Sequence, residues 1–208
     1  MHLARTLRHL LALGSLACAA ALPAAPVDDA RAALIAGVDE VSAAIRERPK
    51  QDDLIVLLDT LIDKHFAFAT TTRLAVGPSW RDFSEQQQSR AIELFGGLVI
   101  RTYVDRIAAD TRPEIAYGTP VEIKPGRIEI PTTVKTGGQT YAVIYRLELE
   151  RDVAPARWRV YDVIAEGVSL IANYRAQFDP IVKKSGPAGL LATLEAKLAE
   201  PVAAKTTN

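Results

Sequence analysis

Arg127 to Glu150 reads R-I-E-I-P-T-T-V-K-T-G-G-Q-T-Y-A-V-I-Y-R-L-E-L-E, and this stretch decides the fold. Ile128, Ile130, Thr132 and Val134 alternate with polar neighbours. Tyr141, Val143, Tyr145, Leu147 and Leu149 then share one face, opposite Arg146, Glu148 and Glu150. A period of two marks a strand with one buried face, so both runs are expected as strands. Between them Lys135-Thr136-Gly137-Gly138-Gln139 supplies a hairpin turn, because paired glycines tolerate the positive φ that such turns require. Arg146, on the polar face, is expected to tolerate reversal to glutamate.

Downstream, Trp158 to Ala165 carries apolar groups on both faces and is expected as a central strand. Glu166-Gly167 reads as a sharp turn from strand to helix, with Gly167 taking backbone angles that other residues resist. Ser169 can cap a helix bearing Leu170, Tyr174 and Phe178 at four-residue spacing. Pro187 to Leu198 is expected as a last helix, and residues 200–208 as a disordered tail. Within the Ser169 helix, Pro180 lacks an amide donor, so a kink or restart with Asp179 as cap is expected there.

Upstream, the period changes at Arg112-Pro113 from 3.6 to 2. Ser84 with Gln87 three residues later is a capping box, opening a long helix striped by Ile92, Phe95, Val99, Tyr103 and Ile107. Phe66 to Val76 reads as a short helix closed by Gly77-Pro78. Asp52 or Asp53 can cap a helix running to about Lys64. From Asp28 to Arg48, Leu34, Val38, Val41 and Ile45 recur at helical spacing until Pro49. Helices, an antiparallel meander, then helices again is the α+β order, here a single domain over residues 28–199.

The first residues read as a secretory leader. Arg5 and Arg8 give a basic start, Leu10 to Leu22 is an apolar run, and Ala19 to Ala21 offers a cleavage site, so residues 1–21 are expected to be removed. That run is too short to span a bilayer as a helix. Cys18 raises lipid anchorage, but Leu16 stands one place too close to fit the usual lipobox. Cleavage after Ala21 leaves no cysteine, hence no disulfide. Removing Arg5 and Arg8 takes the 25 basic residues to 23 against 25 acidic ones, a formal net charge of −2. Such a balance gives no footprint for nucleic acid.

Reactive chemistry is sparse. His65 is the one histidine left after cleavage, and without cysteine the usual zinc sets cannot be assembled, so neither metal nor cofactor is expected. There is no G-x-S-x-G elbow, P-loop or G-x-G-x-x-G. His65 lies near Asp59 and Asp63 in sequence, but a lone histidine at a helix end is more often a satisfied cap or surface residue. Tyr161 and Asp162 could serve an isomerase-like or hydrolase site, yet neighbours on a regular strand point to opposite faces and cannot enter one cavity together. An Asp bonded to a helix N-terminus and a Tyr in the core is the plainer expectation. What remains is apolar surface, which by itself closes a core as readily as it lines a pocket.

Trp158 to Phe178, W-R-V-Y-D-V-I-A-E-G-V-S-L-I-A-N-Y-R-A-Q-F, resembles the signature of the MlaC or toluene-tolerance family of periplasmic phospholipid-binding proteins. S-G-P-A-G-L-L at Ser185 to Leu191, R-L-A-V-G-P-S-W at Arg73 to Trp80 and F-S-E-Q-Q-Q at Phe83 to Gln88 extend the likeness over Ala30 to Leu198. Phe66-Ala67-Phe68 departs from it, lacking an acidic residue often seen there. The resemblance implies a twisted antiparallel sheet of NTF2-like or cystatin-like kind, packed with helices around an apolar lipid cavity. It implies no enzyme activity, but a periplasmic monomer that maintains outer-membrane lipid asymmetry. Its partners would be an inner-membrane ABC transporter complex and an outer-membrane lipoprotein-porin complex. Phospholipid is the implied cargo, with a hopanoid or other polycyclic lipid as the alternative. Val143, Tyr145, Val163 and Ile164 are then expected on the cavity side of the sheet, and Val168, Leu170 and Tyr174 from the following helix. Phe95 and Tyr103 would join them from the long helix, and Trp80 would rim the mouth or staple that helix. A purely structural envelope adaptor would instead have a filled core.

Overall fold

The computed structural model describes residues 26–47, 51–108 and 113–200. The expected leader over residues 1–21, Cys18 and the tail beyond residue 200 lie outside them. In chain order the elements are α1 (Pro26–Glu47), α2 (Gln51–His65), α3 (Phe68–Val76), a 3-10 turn (Gly77–Asp82) and α4 (Glu85–Ala108). Then come β1 (Glu114–Tyr117), β2 (Val121–Lys124), β3 (Arg127–Thr136), β4 (Gln139–Glu150), β5 (Arg157–Ala165), β6 (Val168–Ser169) and α5 (Leu170–Ala199).

Local chemistry accounts for the helix ends. Asp28 and Asp29 in the first turn of α1 and Arg46 in its last complement the helix dipole. The capping box before α4 closes reciprocally: Ser84 N donates to Gln87 Oε1 at 3.0 Å, and Gln87 N donates to Ser84 Oγ at 3.3 Å. Ser169 Oγ accepts from Ala172 N at 3.1 Å and opens α5. The side chains of Asp52, Asp53 and Ile107 lie outside the described ones.

Among the described residues the sheet has six strands, all paired antiparallel, in the order β1-β3-β4-β5-β6, with β2 also paired to β3. Thr136 pairs with Gln139, so Gly137 and Gly138 form a two-residue turn, with φ of 56° and 76°. Ile128 lies opposite Leu147, Ile130 opposite Tyr145 and Thr132 opposite Val143, which puts the apolar alternation of both strands on one face. Ile128, Ile130 and Leu147 are wholly buried there, beneath a helical layer that contributes Leu58, Phe95, Leu190 and Leu194.

Four local expectations are corrected. First, β5 is not central: it pairs with β4 on one side, and its other side is taken by the two-residue β6 and a parallel bridge from Phe66 to Val160. Helices covering both faces near this edge explain its two-faced apolarity. Second, Phe66 is not helical; it leaves α2 and joins the sheet, with Ala67 N donating to Val160 O at 2.7 Å. Third, Glu166-Gly167 is a tight hairpin turn into β6, with φ of 49° and 80°. Glu166 bears the unfavourable angle while its Oε1 accepts from Ala142 N at 2.6 Å. Fourth, α5 does not restart at Pro180. Its non-helical angles fall at Gly186 (φ 64°, ψ −168°), and Asp179 instead pairs with Lys183 one turn on.

Candidate functional site

A cavity of about 510 Å³ lies between the helical layer and the face of the sheet that carries Val143, Tyr145 and Leu147. From α1 come Leu34, Val38, Val41 and Ile45, the stripe whose helical spacing is plain in the sequence. Ile62, Phe66 and Phe68 add the end of α2 and the start of α3, and Val99, Ile100 and Tyr103 add α4. The sheet contributes in register: Val143 beside Ala165, Tyr145 beside Val163 and Leu147 beside Val160. Ala165, Val168 and Asn173 line the cavity and are exposed, whereas Leu147, Val160, Trp158 and Phe66 line it and are buried. The opening is therefore at the β6 end and the floor lies toward the start of β5.

No Lys, Arg, Asp or Glu lines this space among the described residues; its titratable groups are His65, Tyr103 and Tyr145. Burial raises the pKa of Tyr145, so its phenol is neutral throughout the physiological range. His65 is held from outside the cavity: its Nε2 lies 2.6 Å from Glu40 Oε2. Lys64 Nζ donates to both oxygens of Glu40, at 2.8 and 2.9 Å. Those hydrogen bonds, from Lys64 first and then His65, hold the Glu40 carboxyl below its ordinary range. The ring of His65 also packs on Gly37, where an added Cβ would come within 3.0 Å of its Cγ and Nδ1. Gly37 thus lets α1 and α2 approach, a contact that sequence reasoning missed.

Asp162 sits outside the cavity. Its Oδ1 accepts from Ile171 N at 3.2 Å, and its Oδ2 accepts from Ser169 Oγ at 2.8 Å and Arg146 Nη1 at 3.3 Å. The carboxylate fastens the N-terminus of α5 to the sheet. Tyr161 packs with Ala67, Leu74 and Ile171, and Arg127 lies 4.6 Å over its ring. A bulge opposite Arg146 and Leu147 breaks the alternation expected of β5, so that Val160, Tyr161 and Asp162 are buried in succession.

Of the ten expected contact residues, Val143, Tyr145, Val163, Val168, Leu170 and Tyr103 line the cavity. Four stand elsewhere. Ile164 is next to Val163 on a strand, so it points to the other face. Phe95 and Tyr174 meet edge to face at 4.7 Å and join Phe178 in an aromatic core between α4 and α5. Trp80 stacks on Phe83 at 5.4 Å, at the entry to α4. The wall from α1 and the side chains of Phe66, Phe68, Ile115 and Val134 were not expected at the site.

A protein-family model described as MlaC protein matches residues 36–196, most of the chain. The chain belongs to the MlaC family. A solved structure with the same fold is the phospholipid-binding protein from Ralstonia solanacearum in complex with a phospholipid. It is 29% identical with a TM-score of 0.74, and the alignment covers 82% of this MlaC-family chain and 97% of that one. No curated protein matches the chain.

Proposed function

We propose that this MlaC-family chain is a lipid carrier that holds phospholipid by its acyl chains and moves it across the periplasm. The observation that carries this reading is the cavity: an apolar space of about 510 Å³, free of charged side chains among the described residues, inside a charged exterior. Its volume falls in the range of roughly 300–1,000 Å³ usual for small-molecule sites. The Ralstonia solanacearum protein, of the same fold, holds a phospholipid. Val143, Tyr145, Val163, Val168, Leu170 and Tyr103 are the side chains assigned to acyl contact.

The physical requirement is large. Two acyl chains contain some 30 methylenes, and at roughly 0.8 kcal/mol each a bare lipid faces on the order of 25 kcal/mol against entering water. A carrier has to offer comparable apolar surface while its outside stays soluble. Family membership supports a route between an inner-membrane ABC transporter complex and an outer-membrane lipoprotein-porin complex. It equally supports binding in place of catalysis, and the two candidate reactive groups fit that view. Asp162 is saturated by structural hydrogen bonds and His65 is tied to Glu40.

Native mass spectrometry of the protein expressed with residues 1–21 tests the reading. Bound phospholipid in stoichiometric amount is the expected result. A polycyclic lipid would change the cargo, and empty protein would sink the carrier.

A further inference from the structure

We propose that the Tyr145 hydroxyl is a specificity determinant of the cavity. It donates a hydrogen bond to an ester carbonyl of the lipid, so that ester-linked acyl chains are taken in preference to ether-linked ones. This inference rests on the carrier reading above.

Position comes first. Along β4 the cavity face runs from Val143 near the opening, through Tyr145, to Leu147 on the floor. Two strand residues advance roughly 7 Å, so the Tyr145 ring stands about one such step inside the opening. A lipid whose head group stays in water has its ester carbonyls at just that depth, where glycerol gives way to hydrocarbon. Carbonyl oxygens accept hydrogen bonds and cannot donate them. A phenol donates, and this one stays protonated because burial disfavours its anion.

Among the described residues the hydroxyl has no hydrogen-bond partner. Tyr145 lines the cavity, and burial is the one influence on its phenol, with no hydrogen bond to a described side chain. Of the other polar groups of the lining, Ser169 is committed to Asp162 and Ala172 and His65 to Glu40, while Ser42 stands on α1. Thr136 and Asn173 belong to the opening, and Tyr103 stands on the helical wall. Leaving a hydroxyl unpaired in apolar surroundings is unfavourable, and a phenylalanine would fill the same place without that cost. A ligand acceptor removes the penalty.

The test uses full-length delipidated protein and two probes, dioleoyl phosphatidylglycerol and its diether analogue with the same chains, competed at equal concentration and read by native mass spectrometry. Wild type should favour the diester about fivefold, the worth of one ordinary hydrogen bond, and Tyr145→Phe should take both equally. Equal uptake of the two lipids by wild type overturns the assignment while leaving the carrier intact. Preference persisting in Tyr145→Phe overturns it as well. Binding of neither lipid by wild type brings down the carrier reading and this inference together. Should the variant fail to fold, the carbonyl stretch of the bound, isotope-labelled diester decides on wild type alone. A band lowered from its position in hydrocarbon supports the hydrogen bond, and an unshifted band refutes it.

Discussion

Asp162 is 1% exposed and carries three hydrogen bonds, so its removal strands Ser169, Ile171 and Arg146 at once. Asp162→Ala should lower the unfolding free energy by about 2–4 kcal/mol, measured by urea denaturation, with lipid stoichiometry unchanged in the folded fraction. Arg146 corrects an expectation drawn from alternation alone. It is one-third exposed, yet it reaches Glu129 at 2.7 Å as well as Asp162 at 3.3 Å. Arg146→Glu would set three carboxylates together, and a loss of about 1–3 kcal/mol is expected where tolerance was anticipated. Glu40 gives a pH dependence with a definite sign. Its folded pKa lies below the ordinary 4.5, so its contribution is complete above 4.5 and fades as pH falls through the lowered value. Glu40→Gln should therefore flatten the acid limb of a plot of Tm against pH below about 4.5. Tyr117 has the opposite sense: burial, then the neighbouring Tyr145, pushes its pKa up to about 12. Stability that it lends is present below 10.0 and lost between there and about 12, and Tyr117→Phe should remove that alkaline loss.

At the scale of elements, periodicity and caps made the β3-β4 hairpin, the start of α4 and the start of α5 legible, because each rests on contacts within a few residues. What was hidden depended on partners far along the chain. Strand β5 looked central because both its faces are apolar, but the cover comes from helices and from Phe66, more than ninety residues away. Pro180 looked like a break because its ring removes a donor, yet the helix runs through it and the turn falls at Gly186 instead. The angles of Gly186 are accessible to glycine alone, and an added Cβ would meet nothing within 4 Å. Gly186→Ala should thus cost about 1–3 kcal/mol through backbone strain and not through any clash, readable as a lowered Tm.

For the whole molecule, apolar stripes announced a generous interior without saying whether it is filled. A stripe that faces a hollow has the same spacing as one that faces a core, which is why Phe95 and Tyr174 were drawn into the site and the α1 wall was left out. Val143→Asp should leave cargo-free protein, counted as the mass-spectrometric loss of bound lipid, because a carboxylate beside the opening would be desolvated by any acyl chain that passed it. The bridge from Phe66 to Val160 carries a last consequence, for synthesis. Helices α1 to α4 leave the ribosome before any strand that covers them exists, so roughly half the polypeptide waits with greasy flanks uncovered. The nascent chain is an obvious client for a chaperone, and a fragment ending near residue 108 should aggregate instead of folding.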